Sequence, residues 1–96
     1  MTFIVRETAA NEAVEAWRWY AGRNMEAAIG FAQALRAAFA LIHTSPHAGH
    51  TVLGSRRRVL VGRYRYGVIY YIDGEDVVVV AVAHTSRAPN YWRRRR

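Results

Sequence analysis

Fourteen arginines and four histidines carry most of the chemistry open to this 96-residue chain, which has no lysine and no cysteine. Two groupings stand out. Arg56-Arg57-Arg58 runs into Arg63 and Arg65, and His84 leads into Arg87, Tyr91, Trp92 and the closing Arg93-Arg94-Arg95-Arg96. Arginine presents a planar fork that suits phosphate and carboxylate. Arg56, Arg57, Arg58, Arg63, Arg65 and Arg87 are therefore candidate anchors for a polyanion or an acidic protein. Cutting a phosphodiester such as RNA asks for more. One group must take the proton of the 2′-hydroxyl, another must protonate the leaving 5′-oxygen, and fixed cations must hold the crowded phosphate charge. His84, His50, His47 and Tyr91 are the proton carriers nearest those arginines, and an unperturbed histidine titrates near ~6.5. The loop of His47 and His50 holds no glutamate that could serve as base.

Each of these residues also has a plainer use. The arginine triplet can guard an edge strand by charge. Strand alternation predicts that Arg57 points to one face and Arg56 and Arg58 to the other. The favoured role for His84 is structural, bonding the backbone of the turn towards Arg87. His43, His47 and His50 invite a metal reading, but Pro46 breaks the helical register between the first two. No cysteine or carboxylate lies close enough in sequence to complete a zinc set. No metal and no cofactor are expected, and His43 suits a helix C-terminus through the dipole.

The elements that must position these groups follow from periodicity. Thr2–Arg6 is short and β-prone. Thr8 offers a cap, and Ala10, Ala13, Val14, Trp17, Tyr20 and Ala21 form a helical stripe. Trp17 is thus expected in the core, Glu12, Glu15 and Arg18 outside, and Trp19 off the stripe, exposed or touching a partner. Gly22 is a plausible terminator. A second helix opens near Asn24 with the stripe Ala28, Phe31, Ala32, Leu35, Phe39 and Ile42, and Ser45-Pro46 ends it. Only Glu26 and Arg36 are charged along it, so most of it should be buried or covered. The short link predicts an antiparallel helical hairpin. After a loop over 47–55 come strands at about 57–64, 66–72 and 76–84, the last two joined by the hairpin signal Asp73-Gly74.

The last strand reads Val77-Val78-Val79-Val80-Ala81-Val82-Ala83 and does not alternate, so both its faces want cover. Two helices can blanket one face. The other falls to a partner, a second copy, or the tail with Tyr91 and Trp92 folding back; a partner is the favoured cover. Taken together, the pattern predicts an α+β fold in a single domain over 1–96. It consists of an N-terminal strand, a two-helix hairpin packed on a small antiparallel sheet, and a three-stranded C-terminal meander. Residues 93–96 form a basic tail, either disordered or bound to an acidic partner.

Composition narrows the function classes. At 52% hydrophobic residues the chain is globular, and without cysteine it carries neither disulfides nor thiolate zinc sites. Its N-terminus lacks a secretory pattern, and no apolar run approaches the ~20 residues of a membrane span. A cytoplasmic protein with no membrane partner is expected. The net charge of +7 favours polyanions and acidic proteins.

The order strand, helix, helix, meander, basic tail resembles the RelE/ParE toxin superfamily of type II toxin–antitoxin systems. The likeness covers essentially the whole chain. Ala28-Ile29-Gly30-Phe31 looks like the family's helix face, Pro46 followed by Gly49 like its post-helix turn, and Arg58 with Tyr64 to Tyr70 like its arginine strand and aromatic hairpin. The most specific piece is Val82-Ala83-His84-Thr85-Ser86-Arg87-Ala88-Pro89-Asn90-Tyr91-Trp92-Arg93, which is closer to the ParE ending. The resemblance implies a growth-inhibiting toxin of the kind used in plasmid stabilization, neutralised by an acidic antitoxin in a hetero-oligomer. A ParE-like member would poison DNA gyrase without intrinsic catalysis. Arg56, Arg57, Arg58, Arg63, Arg87, Tyr91, Trp92 and Arg93 would then bind target or antitoxin. The alternatives are a RelE-like endoribonuclease acting on mRNA in the ribosome, with Arg58, Arg63, His84, Arg87 and Tyr91 as the catalytic set, and a non-toxic binding module of the same fold.

Overall fold

The valine-rich strand organises the molecule. The computed structural model describes residues 2–96 and orders seven elements: β1 (Phe3–Val5), α1 (Glu7–Ala21), α2 (Met25–Thr44), β2 (His50–Leu53), β3 (Arg56–Leu60), β4 (Tyr66–Asp73) and β5 (Asp76–His84). The sheet runs β1-β5-β4-β3-β2. Residues Val77 to Ala83 of β5 are all buried, as a strand apolar on both faces requires. The Asp73-Gly74 turn closes the β4–β5 hairpin, with Gly74 at φ 60°, the left-handed conformation such a turn needs.

The α+β architecture agrees with the sequence, and the sheet adds two features to it. First, β2 forms within the stretch read as a loop and pairs antiparallel with β3 through a bulge. Second, β1 lies parallel to β5, so the sheet is mixed. The helical hairpin carries the chain from β1 at one edge of the sheet to β2 at the other, and the β2–β5 meander then returns it to lie beside β1, so the parallel pair is joined by a long connection. A further bulge sits where Ile69 opposes Ala81 but Tyr70 opposes Val79. It turns Val80 and Ala81 to the same side, and both join the cluster on the face away from the helices.

Helix boundaries fall close to the expected ones, with different chemistry at α1. Asn24 caps α2 by accepting from the backbone N–H groups of Glu26 and Ala27 at 2.9 and 3.4 Å. The cap of α1 is Arg6, with no side-chain bond; Thr8 lies inside the helix. Gly22 ends α1 in a right-handed conformation, φ −68°. The buried face of α1 is also rotated from the expected stripe. Ala9 and Ala16 are fully packed, with Ala13 and Tyr20 beside them, whereas Ala10 and Val14 are exposed and Trp17 is 37% exposed. Small alanines let α1 approach β5 closely, and bulk points outward. Helix α2 keeps its stripe, with Phe31 and Ile42 in the core. Contrary to expectation, Met25–Thr44 is long and apolar enough to meet the length and composition of a membrane span, with mean hydropathy 1.4. Here it packs on the sheet, though Met25, Ile29 and Leu41 remain exposed.

The far end of α2 is fixed through Tyr70. Its hydroxyl donates to the Pro46 carbonyl at 2.6 Å and accepts from the Gly49 N–H at 3.0 Å. A methyl group at Gly49 would stand 2.6 Å from that hydroxyl and 3.0 Å from the Arg58 carbonyl. Because Tyr70 is fully buried it cannot swing away. Gly49→Ala is expected to lower stability by roughly 1–3 kcal/mol, the usual range for overpacking, read as a reduced urea midpoint; an unchanged midpoint would refute the tight fit.

Candidate functional site

Strand β1 is too short to cover β5. The parallel ladder begins with Val77 N–H donating to Thr2 O (2.9 Å) and ends with Arg6 N–H donating to Val79 O (3.0 Å). Beyond Val79 the outer edge of β5 would be bare, and side chains continue the pairing. Glu12 accepts from Val82 N–H at 3.1 Å, and Arg95 donates to Val80 O at 3.2 Å. The two side chains are themselves paired at 2.7 Å. Glu12 also takes Arg87 at 3.3 Å and the hydroxyl of Tyr91. With its side chain 11% exposed, this carboxylate is the hub of the C-terminal structure.

The tail wraps to reach it. After β5, Ser86 N–H donates to His84 Nδ1 at 3.1 Å and Arg87 N–H to His84 O at 3.1 Å. Asn90 takes the left-handed conformation, φ 58°, and short backbone bonds follow at Arg93 to Asn90 and Arg95 to Trp92, both 2.9 Å. Trp92, 4% exposed, packs with Ile69, Val78, Val80, Ala81 and Ala83. Arg56 donates to the Arg95 carbonyl, and Arg6 Nε to the Arg96 carbonyl at 2.9 Å. The face expected to await a partner is thus covered by the chain's own tail. The driving groups are Trp92, which needs burial, and the guanidinium of Arg95, which needs the Glu12 carboxylate.

The structure brings some of the expected residues together and separates others. Arg58, His84, Arg87, Tyr91 and Trp92 line one hollow of about 250 Å³ beside the tail. Arg56 lies on the same side, bound to the tail. Arg57 points to the helix side, as alternation predicts, and donates to the carbonyls of His47 and Gly49 at 3.1 and 2.8 Å. Arg63 stands in the β3–β4 turn and lines a different cleft. Arg93 is exposed, and His47 and His50 do not line the hollow. Glu12 is the residue that sequence reasoning missed. It was placed on the outer face of α1, but Ala9, Glu12, Ala13 and Ala16 share a face, and that run of small residues was the available signal.

Electrostatics at the hollow are set by the hub. Burial, then the hydrogen bond to Glu12 and its charge, push the Tyr91 phenol up to about 12, against a smaller downward pull from Arg87 and Arg95. The Arg87 guanidinium lies over the Tyr91 ring, 3.8 Å from its centre. His84 receives a backbone N–H at Nδ1, so its neutral form carries the proton on Nε2. Arg58 and His84 can face an anion here. Among the described residues no three His, Cys, Asp or Glu side chains converge on a point where a metal could sit.

Comparison with known proteins places this geometry in context. A family model described as "ParE toxin of type II toxin-antitoxin system, parDE" matches residues 3–89. A solved chain from "Chromosomal ParDE TA system from P. aeruginosa" is similar in structure, with TM-score 0.76 over 88% of this chain and 95% of that one. At 12% identity this likeness establishes a shared fold. No curated protein matches in sequence.

Two expectations follow from the hub. Glu12→Gln leaves two guanidinium groups without their carboxylate and is expected to cost about 2–3 kcal/mol in urea unfolding. That lies below the ~3–5 kcal/mol typical of a fully buried pair, because Arg87 is half exposed. Trypsin should then cut at the terminal arginines sooner, and wild-type resistance in the variant would remove Glu12 from this role. The Tyr91 phenol ordinarily titrates near 10 and in the folded chain near 12. Its contribution to stability is therefore full below about pH 10 and lost as the pH rises towards 12. Tyr91→Phe should flatten that part of the stability profile.

Proposed function

This chain belongs to the ParE toxin family of type II toxin–antitoxin systems, and from that premise we propose that it arrests growth by binding DNA gyrase. In this reading it works in the cytoplasm as a binder, without a hydrolytic site, and a cognate acidic antitoxin holds it in a hetero-oligomer. The observation that carries the proposal is the engagement of the groups a nuclease would need. The Tyr91 hydroxyl is committed to Glu12 and stays protonated far above neutral pH. His84 has one ring nitrogen occupied by the turn backbone, and Arg87 is paired with Glu12 and stacked on Tyr91. General acid–base work needs a group that exchanges its proton near the working pH. This arrangement instead supports Arg58, Arg87, Arg93 and the rigid tail as a basic docking surface.

The antitoxin reading rests on two further features. The net charge of +7 complements an acidic protein. The outer side of the helical hairpin leaves Val14, Trp17, Ile29 and Leu41 exposed, an apolar area that an amphipathic segment can cover by folding on binding. Cleavage of mRNA remains the second reading, favoured by the single observation that Arg58, His84 and Arg87 line one hollow.

Induction without antitoxin, followed by pulse-labelling with thymidine and methionine, separates the two. Thymidine incorporation is expected to fail first. The purified chain should inhibit supercoiling by gyrase, and His84→Gln should keep most of the toxicity. If methionine incorporation collapses first, or if a folded His84→Gln protein no longer kills, the gyrase reading is lost to the nuclease one. If neither label changes, this chain is a binding module of the fold.

A further inference from the structure

Beside the start of the tail at Ser86, the end of α1 and the β3–β4 turn enclose a cleft of about 620 Å³, within the size range of small-molecule sites. Trp19, Tyr20, Tyr66, Arg63, Arg65 and His84 line it. Its aromatic groups are locked against one another. Trp19 and Tyr20 pack edge to face at 5.1 Å, and Tyr66 and His84 do so at 4.9 Å. Trp19 is 52% exposed and carries the Arg23 guanidinium over its ring, 3.8 Å from the centre, so a stacked base would share the ring with that cation or displace it.

The turn that carries the two arginines is braced from several sides. Val61 N–H donates to Tyr66 O at 2.9 Å, Tyr64 N–H to Val61 O at 3.0 Å, and Thr85 N–H to Arg65 O at 2.8 Å. Gly62 supplies the left-handed residue, φ 51°. Between the arginines, Tyr64 reaches α2 and donates to the Ala27 carbonyl at 3.2 Å. It fits only because Gly30 has no side chain, since a Cβ there would stand 2.2 Å from its hydroxyl. Arg63 and Arg65 are exposed, and no carboxylate pairs with either among the described residues. Two solvated cations, neither neutralised by a carboxylate, are thus carried on a stiff turn beside flat rings. Two carboxylates, Glu12 and Glu15, line the adjoining hollow, and Glu12 is committed to Arg87 and Arg95.

A simple anion would use the arginines and leave the rings idle. An apolar ligand would use the rings and leave the arginines idle, and a peptide of acidic and aliphatic residues has no flat group for Trp19. A flat base joined to a phosphate uses both. We propose that this cleft binds a nucleoside phosphate, free or as one unit of a single strand, with the base against Trp19 and Tyr66 and the phosphate between Arg63 and Arg65. The site adjoins the hollow beside the tail, sharing His84 with it, but its base and phosphate contacts, Trp19, Tyr66, Arg63 and Arg65, lie outside that hollow, and the inference does not depend on what the toxin strikes.

The test is titration of the full chain with AMP, followed by calorimetry and tryptophan fluorescence. Saturable binding of one AMP per chain is expected, with adenosine and inorganic phosphate each at least ~10-fold weaker. Arg65→Ala should weaken binding ~10-fold, as loss of a charge-assisted bond does. Trp19→Ala should do so by ~5-fold to 100-fold, the range for lost stacking. Arg36→Ala, on the exposed side of α2, should change nothing. These side chains are exposed, so circular dichroism should show every variant folded. A hexa-adenylate that binds more tightly than AMP assigns the site to a strand; equal affinity assigns it to the free nucleotide. The proposal is overturned if neither ligand saturates at millimolar concentration, if Arg63→Ala, Arg65→Ala and Trp19→Ala all bind like wild type, or if a glutamate-rich peptide competes as well as AMP.

Discussion

A carboxylate taken mostly out of water must find donors and cations, or the structure that holds it will not persist. Glu12 finds four partners: the Val82 N–H, the Tyr91 hydroxyl, and the guanidinium groups of Arg87 and Arg95. One partner lies on β5 and three lie in the tail, so one side chain ties the first helix to the edge of β5 and to the tail. Burying an aromatic side chain contributes roughly 3 kcal/mol, and ordering each residue's backbone costs ~1–2 kcal/mol. Trp92 alone therefore cannot hold a tail of this length. The ionic cluster and the carbonyl contacts from Arg56 and Arg6 complete the task.

The same constraint sets the face that α1 turns to solvent. To bring Glu12 over the edge of β5, the helix rolls so that Ala9, Ala13 and Ala16 meet the sheet, and Val14 and Trp17 are left outside. Edge protection and an apolar outer surface thus have one cause. The tail acts alike on the other side of the sheet: in covering the valines of β5 it sets Arg87 and Arg58 around a shallow hollow. Both surfaces open to a partner are by-products of how β5 is shielded.

How much of this was legible in the sequence depends on the range of the interaction. Local signals were sufficient for the α2 cap at Asn24, its stop at Ser45-Pro46 and the Asp73-Gly74 hairpin, because each is decided within a few residues. The unbroken valine run correctly demanded cover on both faces. What covers the second face was not legible, since Trp92 and a partner satisfy the same hydrophobic requirement. The roll of α1 was missed because helical periodicity ranks Trp17 above Ala16 by bulk, whereas the choice was made by a carboxylate whose main partner lies 83 positions away. The alternation of Arg56, Arg57 and Arg58 held because strand geometry is local. Strand β2 was not seen because His50–Leu53 owes its pairing to β3 rather than to its own residues.

The pairing of the first strand with the last has a consequence for how the protein is born. Phe3, Ile4 and Val5 wait for Val77, Val78 and Val79, and Glu12 waits for Arg95. The first strand cannot settle until β5 has left the ribosome, because β5 is its only neighbour in the sheet and is the last of the five strands to be made. Long-range pairing of this kind slows folding and leaves apolar helices unshielded in the meantime. The nascent chain therefore spends the making of β2 to β4 as an unfinished helical hairpin, and its competent form arises only once β5 and the tail have been made.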